Sequence, residues 1–267
     1  MFFLSSFVHN ICMRKSEAFE KRIHEIDLFR GFLILLVIFD HLMWFFNFYI
    51  FHNQHPFLNW YWTSILRYTV RQIVLMAFLF TCGISCHLSR SNKKRGFLLL
   101  ILCLGVTIAT HILQLLPMLS NRAVCIDFNI LGVICLSILA YAACEKLSSR
   151  DLWFISGILM AFYFFIILAS KMDTSTEYNP FKSILYVPFN PIRAAYVGDY
   201  LPLFPYIIFL FFGVIFASHF YANKISIISR KGSWERPICF LGRHTLLIYV
   251  GHEVLFTLVF MGIGALL

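Results

Sequence analysis

The chain has 267 residues, of which 60% are hydrophobic, 18% aromatic and only 13% charged, with a formal net charge of +9. A mean hydropathy of +0.78 excludes an ordinary water-soluble domain and marks a polytopic membrane protein embedded in a lipid bilayer. The basic excess would suggest nucleic acid in a soluble chain, but here it sits in short loops between apolar runs, where it sets orientation, so no nucleic-acid partner is expected.

Two regions are expected: an N-terminal segment over residues 1–21, flexible or interfacial, and a transmembrane domain over 22–267. The opening MFFLSSFVHNIC lacks the basic lead and small-residue cleavage site of a signal peptide, and Met13 begins a segment that would itself serve as a start. Crossing some 30 Å of hydrocarbon takes about 20 apolar residues per helix. Runs of that kind occur at Gly31–Ile50, Thr69–Leu88, Phe97–Leu119, Phe128–Cys144, Leu152–Ser170, Leu201–Phe220 and Ile238–Gly262. They predict an all-α bundle of about seven transmembrane helices. The fourth is short, and the amphipathic stretch Asn59–Tyr68 reads as an interfacial or re-entrant piece, so six and eight spans stay open.

Arg14, Lys15, Lys21, Arg22 and Arg30 precede or open the first span, and Arg90, Lys93, Lys94 and Arg95 fill the second-to-third loop. Lys146 with Arg150, and Lys224, Arg230, Lys231 and Arg236, fall on the same side, whereas the alternate loops hold only scattered cations. The bias predicts a cytoplasmic N-terminus and a C-terminus outside.

Ionisable residues inside a span cost several kcal/mol unless they are paired or face a cavity. Asp40 and His41 fall midway along the first helix, and His252 with Glu253 midway along the last, so two helices carry histidines at matching depth. Polar glue within a bundle accounts for one such histidine readily, and less well for two with an acid beside each. A histidine can take a proton from an attacking hydroxyl or amine while a carboxylate fixes its tautomer. His41 is therefore the first candidate for a general base or acyl-accepting nucleophile, and His252 is a second catalytic candidate. Asp40 is about 100° around the helix from His41 and suits a partner on another helix. Asp127, Asp199 and Glu253 are candidates for the orienting acid.

Arg30 lies eleven residues before His41, close to three helical turns, which puts both on one face about 16 Å apart along the axis. Asp27 and Arg30, three residues apart, are surface neighbours at the mouth of the helix. A positive-inside anchor explains Arg22 comfortably. It explains Arg30 less well, because Gly31 follows and the charge is carried into the apolar run, where a guanidinium can clamp a phosphate bidentately.

These residues carry a family resemblance. RIHEIDLFRGFLILLVIFDH resembles the opening of the heparan-α-glucosaminide N-acetyltransferase catalytic domain and its small bacterial relatives, within the wider transmembrane acyltransferase superfamily. In order, FLFTCGISCHLSR resembles the second helix with its glycine, and DYLPLFPYIIFLFFGVIFA the Asp-Tyr-x-Pro-x-x-Pro entry. LGRHTLLIYVGHEVL resembles the Gly-Arg-x-Ser/Thr-Leu-x-x-Tyr-x-x-His ending. The resemblance runs from Arg22 over nearly the whole chain.

It implies acetyl transfer across the membrane, from acetyl-CoA bound on the cytoplasmic side to a sugar or glycan acceptor outside. Arg30, with Asp27 and Arg243 beside it, would hold the CoA phosphates, and His41 would meet the thioester. In the lysosomal enzyme the position matching His41 looks like an asparagine, with a histidine farther along that a gap-free alignment puts at His52. His52 and His55, in the outer loop FHNQHPF, therefore compete with His41, although LMWFFNF replaces the glycine-rich stretch expected there. His55 joins Asp40, Asp127 and Asp199 as residues expected to face the acceptor. Asp199 also suits an N-cap, and Arg243 an interfacial snorkel.

The eight cysteines show no CxxC spacing and read as small apolar packing residues, so no metal is expected. Economy of sequence suggests a bacterial cytoplasmic membrane, and a homodimer is left open. The rival from another class is a proton-coupled small-molecule transporter with Asp40, His41 and His252 at the midplane. It requires inverted halves, which the sequence does not display.

Overall fold

The computed structural model describes residues 23–115, 125–126, 128–172, 184–185, 197–228 and 232–264, so the N-terminal segment 1–21 lies outside it. Helix α1 covers His24–Phe45 and continues through a wider π-type turn over Phe46–Ile50, closed by the Phe51 amide donating to the Phe46 carbonyl at 3.1 Å. Then follow α2 (Pro56–Thr63), α3 (Ile65–Leu88), α4 (Asn92–Gln114), β1 (Cys125–Ile126), α5 (Ile130–Cys144) and α6 (Ser149–Met172). The chain continues with β2 (Val197–Asp199), α7 (Tyr206–Phe220), α8 (Glu235–Arg243) and α9 (Thr245–Gly264).

Four of these helices are long and apolar enough to cross a membrane: His24–Ile50, Ile65–Leu88, Asn92–Gln114 and Ser149–Ala169. Ile130–Cys144, Tyr206–Phe220 and Thr245–Phe260 are apolar but shorter. The outer surfaces fit hydrocarbon: Leu98, Ile101 and Ile108 on α4 and Phe154, Phe165 and Leu168 on α6 are each more than half exposed. Water would not tolerate so continuous an apolar surface.

The stretch around Asn59–Tyr68 resolves into two elements. Proline at the first position of α2 fits a helix start, and Ser64, with extended backbone, separates α2 from α3. The predicted last span, Ile238–Gly262, is not one helix. It breaks at His244 (φ −103°, ψ 20°), and the Thr245 hydroxyl donates to the freed Gly242 carbonyl at 2.7 Å. The all-α expectation also omits the short parallel pairing of β1 with β2, Cys125 against Val197 and Ile126 against Asp199.

Contacts divide the chain into two compact units, one of residues up to Val74 with those from Tyr221 on, the other Leu75–Phe220. In the second unit, a Cβ on Gly83 would lie 2.0 Å from the Leu210 carbonyl oxygen, and one on Gly213 2.0 Å from that of Phe80. Helices α3 and α7 thus meet backbone to backbone through reciprocal glycines, the small-residue mode of membrane helix packing. Asn129 caps α5 by accepting from the Leu131 amide at 3.0 Å.

The first unit repeats the device between α1 and α8. A Cβ on Gly31 would lie 2.0 Å from the Ile238 carbonyl oxygen, and one on Gly242 1.7 Å from that of Asp27. Beside this crossing, His24 Nε2 meets Glu235 Oε2 at 2.7 Å with both side chains buried, and Cys239 Sγ lies 3.4 Å from His24 Nδ1. At the far end of α1, Phe45, Tyr49 and Phe260 form a buried aromatic cluster joined by Trp44, Phe48 and Phe256.

Gly31→Ala and Gly242→Ala are expected each to destabilise the protein by about 1–3 kcal/mol or more, because the obstacle is backbone that cannot rotate away. Gly105→Ala, which meets nothing within 4 Å, is expected to be neutral. Thermal melting in detergent checks the ranking.

Candidate functional site

Helix α1 is continuous from His24 to Phe45, so Arg30 and His41 share one rigid element at the eleven-residue, three-turn offset anticipated above. At its deeper end, α9 lies alongside and brings His252 and Glu253 to His41. The His41 and His252 rings stack with centroids 5.0 Å apart, and His41 Nδ1 lies 2.9 Å from His252 Nε2. Glu253 Oε1 pairs with His41 Nδ1 and lies 3.5 Å from His252 Nε2. Of the three candidate acids, Glu253 is the one placed against His41 among the described residues.

The tautomer of His252 follows from its surroundings. Its Nδ1 faces the Ile248 carbonyl oxygen at 3.0 Å, and a carbonyl only accepts, so Nδ1 carries a proton and, in the neutral ring, Nε2 presents a lone pair to the cluster. The proton between His41 and its two neighbours then sits on His41 Nδ1, facing the Glu253 carboxylate and the His252 lone pair. This leaves the basic lone pair of neutral His41 on Nε2, the polarity a carboxylate–histidine pair imposes on a general base. Tyr249 and Phe256 pack edge-on against the His252 ring at 5.7 and 5.6 Å and fix its plane.

Asp40 points elsewhere. Arg67 grips it bidentately, Nε to Oδ1 and Nη2 to Oδ2 both at 2.7 Å, and the Tyr61 hydroxyl donates to Oδ1 at 2.8 Å. The guanidinium also lies over the Trp62 ring, 3.5 Å from its centroid. Asp40, expected to face an acceptor, is held by Arg67 and Tyr61, which ties α1 to α2 and α3 next to His41. Arg67 and Tyr61 are the partners sequence reasoning did not assign. Their only signal was an aromatic residue and a cation 21 and 27 positions beyond an acid that needed neutralising.

At the other end of α1, Asp27 pairs with Arg243 (Nε to Oδ2, 3.0 Å), and both side chains are largely buried. The sequence paired Asp27 with Arg30, its neighbour on the helix surface. The close approach of Gly242 to Asp27 brings Arg243 to it instead. Arg30, half-buried, lies between this ion pair and the His41 cluster along α1.

His52 and His55 are not part of the cluster. His52 is exposed, and both it and Asn53 hold left-handed backbone (φ 47° and 61°) in a loop bound back by Asn47 and Asn59, which donate to Asn53 at 3.0 and 2.7 Å. The His55 ring packs on Phe51, centroids 4.7 Å apart. Asp199 contributes backbone to β2, and Asp127 lies outside the described residues.

Apolar helices clad in exposed apolar side chains define an integral membrane protein, in which α1 and α9 bring two histidines and a glutamate together. The model of the heparan-alpha-glucosaminide N-acetyltransferase catalytic family matches residues 22–254, and the chain belongs to that family. No curated protein and no solved structure shows a significant match to it.

Tyr61 lies on α2, outside the spanning helices. Burial first, then its hydrogen bond to Asp40, pushes the phenol up to about 12 from an ordinary 10.0. A raised value means that its contribution is complete below pH 10.0 and is lost as pH rises through about 12. Tyr61→Phe is therefore expected to melt lower than wild type by a constant margin up to pH 10.0, about 1 kcal/mol after allowing for partial exposure, with the two curves converging near pH 12. Thermal melts across that range check it.

Proposed function

We propose that this protein is a membrane acetyltransferase that moves an acetyl group from cytoplasmic acetyl-CoA to a sugar or glycan acceptor on the outer face. The observation that carries the reading is that His41, on the same unbroken helix as Arg30, meets His252 and Glu253 from α9. In this reading the chain has seven spans with its N-terminus cytoplasmic, in a bacterial cytoplasmic membrane.

Arg30 holds the CoA phosphates at the cytoplasmic mouth, a task for which a forked guanidinium is suited. The Asp27–Arg243 ion pair and the glycine crossing brace the helix there. About 16 Å deeper along the axis, His41 meets the thioester. Its Nε2 accepts the proton of the acceptor hydroxyl or amine as that atom attacks the thioester carbonyl carbon. The new C–O or C–N bond forms, the C–S bond breaks, and the departing thiolate takes the proton back from His41. Glu253 stabilises the transient imidazolium, and His252 holds the shared proton geometry from the other side. The Asp40–Arg67–Tyr61 assembly positions His41 without contacting the reacting atoms.

Calorimetric titration of acetyl-CoA into detergent-purified protein, with a parallel assay for transfer of labelled acetyl groups to amino-sugar acceptors, tests the reading. Arg30→Ala is expected to lose donor binding. His41→Ala keeps binding and loses transfer, and Glu253→Gln keeps binding with turnover lower by about 10²-fold or more. A folded wild type that binds no acetyl-CoA would point to the proton-coupled transporter reading instead.

A further inference from the structure

We propose that His41, His252 and Glu253 form a binding site for a divalent transition-metal ion of the zinc class. One ligand atom from each lies within 4.8 Å of the others. Two edges of the triangle are 2.9 Å, between His41 Nδ1 and His252 Nε2, and 3.5 Å, between His252 Nε2 and Glu253 Oε1. A tetrahedral zinc ion with bonds of about 2.0–2.2 Å keeps its ligand atoms about 3.3–3.5 Å apart, so small side-chain adjustments place all three atoms on one ion.

An independent feature favours a cation at the centre. His252 spends its Nδ1 proton on the Ile248 carbonyl at 3.0 Å, the outer-sphere bond that fixes metal-ligating histidines, and so directs an Nε2 lone pair into the triangle. The carboxylate of Glu253 and the Nδ1 of His41 face the same point. His252 Nε2, His41 Nδ1 and the Glu253 carboxylate converge on one position, which holds either the Nδ1 proton of His41 or, once that proton has moved to Nε2, a metal ion. The donor set, two imidazoles and one carboxylate, is among those catalytic zinc sites use, and it leaves one coordination position for an outside ligand. His252 is the closed side of the triangle, its side chain 5% exposed, whereas those of His41 and Glu253 are 27% and 35% exposed and leave an approach.

The consequence for activity rests on the acetyltransferase reading. An ion on Nδ1 takes the lone pair of the other neutral tautomer, with the single ring proton moved from Nδ1 to Nε2, so the nitrogen assigned as base no longer has its lone pair. Metal and turnover are then mutually exclusive, and zinc is an inhibitor of transfer, reversed by chelation.

Zinc titrated calorimetrically into chelator-stripped, detergent-purified full chain is expected to bind one ion per chain. Cobalt in its place should give visible ligand-field absorption without the thiolate charge-transfer bands that cysteine ligation produces. His252→Ala, His252→Gln and Glu253→Gln are each expected to weaken binding by at least about 10-fold, while Cys239→Ser leaves it unchanged. Absence of binding in wild type and variants that elute and melt as folded protein overturns the proposal. So does binding that survives the three ligand substitutions. Because binding is read without any acyl donor, a chain that takes up zinc but transfers no acetyl group would overturn the acetyltransferase reading and leave the metal site standing.

Discussion

Two helices touch backbone to backbone only where neither carries a side chain, and α1 depends on that constraint. Gly31 and Gly242 let α8 lie so close across α1 that a single methyl on either would collide with a carbonyl oxygen of the other helix. The crossing fixes where α8 ends, and Arg243, the residue after Gly242, is delivered to Asp27. The chain then turns at His244 and runs as α9 beside α1, which carries His252 and Glu253 to His41. In lipid there is little hydrophobic force between apolar helices, so close packing and polar contacts must specify which helices meet.

Polar pairing completes what the glycines begin. Along α1 the acids and histidines at positions 24, 27, 40 and 41 each meet a partner from another element: Glu235, Arg243, Arg67 with Tyr61, and His252 with Glu253. Each group would be costly alone in hydrocarbon. In pairs they become pegs that set the helix at one register, since sliding by a single residue would separate them all. The His41 cluster differs from the others in bringing two imidazoles and a carboxylate to one point. That makes it the place where chemistry is expected.

The apolar helices, their approximate bounds and the continuity of α1 were legible because hydropathy over about 20 residues and helical spacing are local properties. The matching depth of His41 and His252 was legible for the same reason. Local signals misled at two points. The break at His244 lies inside an apolar run, two residues past the α1–α8 crossing at Gly242, which no window of sequence contains. The assignment of Asp27 to Arg30 followed surface adjacency on one helix, whereas Arg243, 216 positions away, holds it. Asp40 was expected to have a partner on another helix, but nothing local pointed to Arg67.

By itself the sequence determined the membrane setting, the helical elements, the three-turn offset of Arg30 from His41 and the family to which the motifs belong. Only the tertiary structure decided that Glu253, of three candidate acids, lies against His41, that His52 lies apart from the cluster, and that two histidines 211 positions apart meet. The physical reason is that periodicity specifies which face of a helix a residue occupies, while the partner facing it depends on which helices can approach. In this chain that approach is set by glycines whose role appears only when another backbone is seen pressed against them.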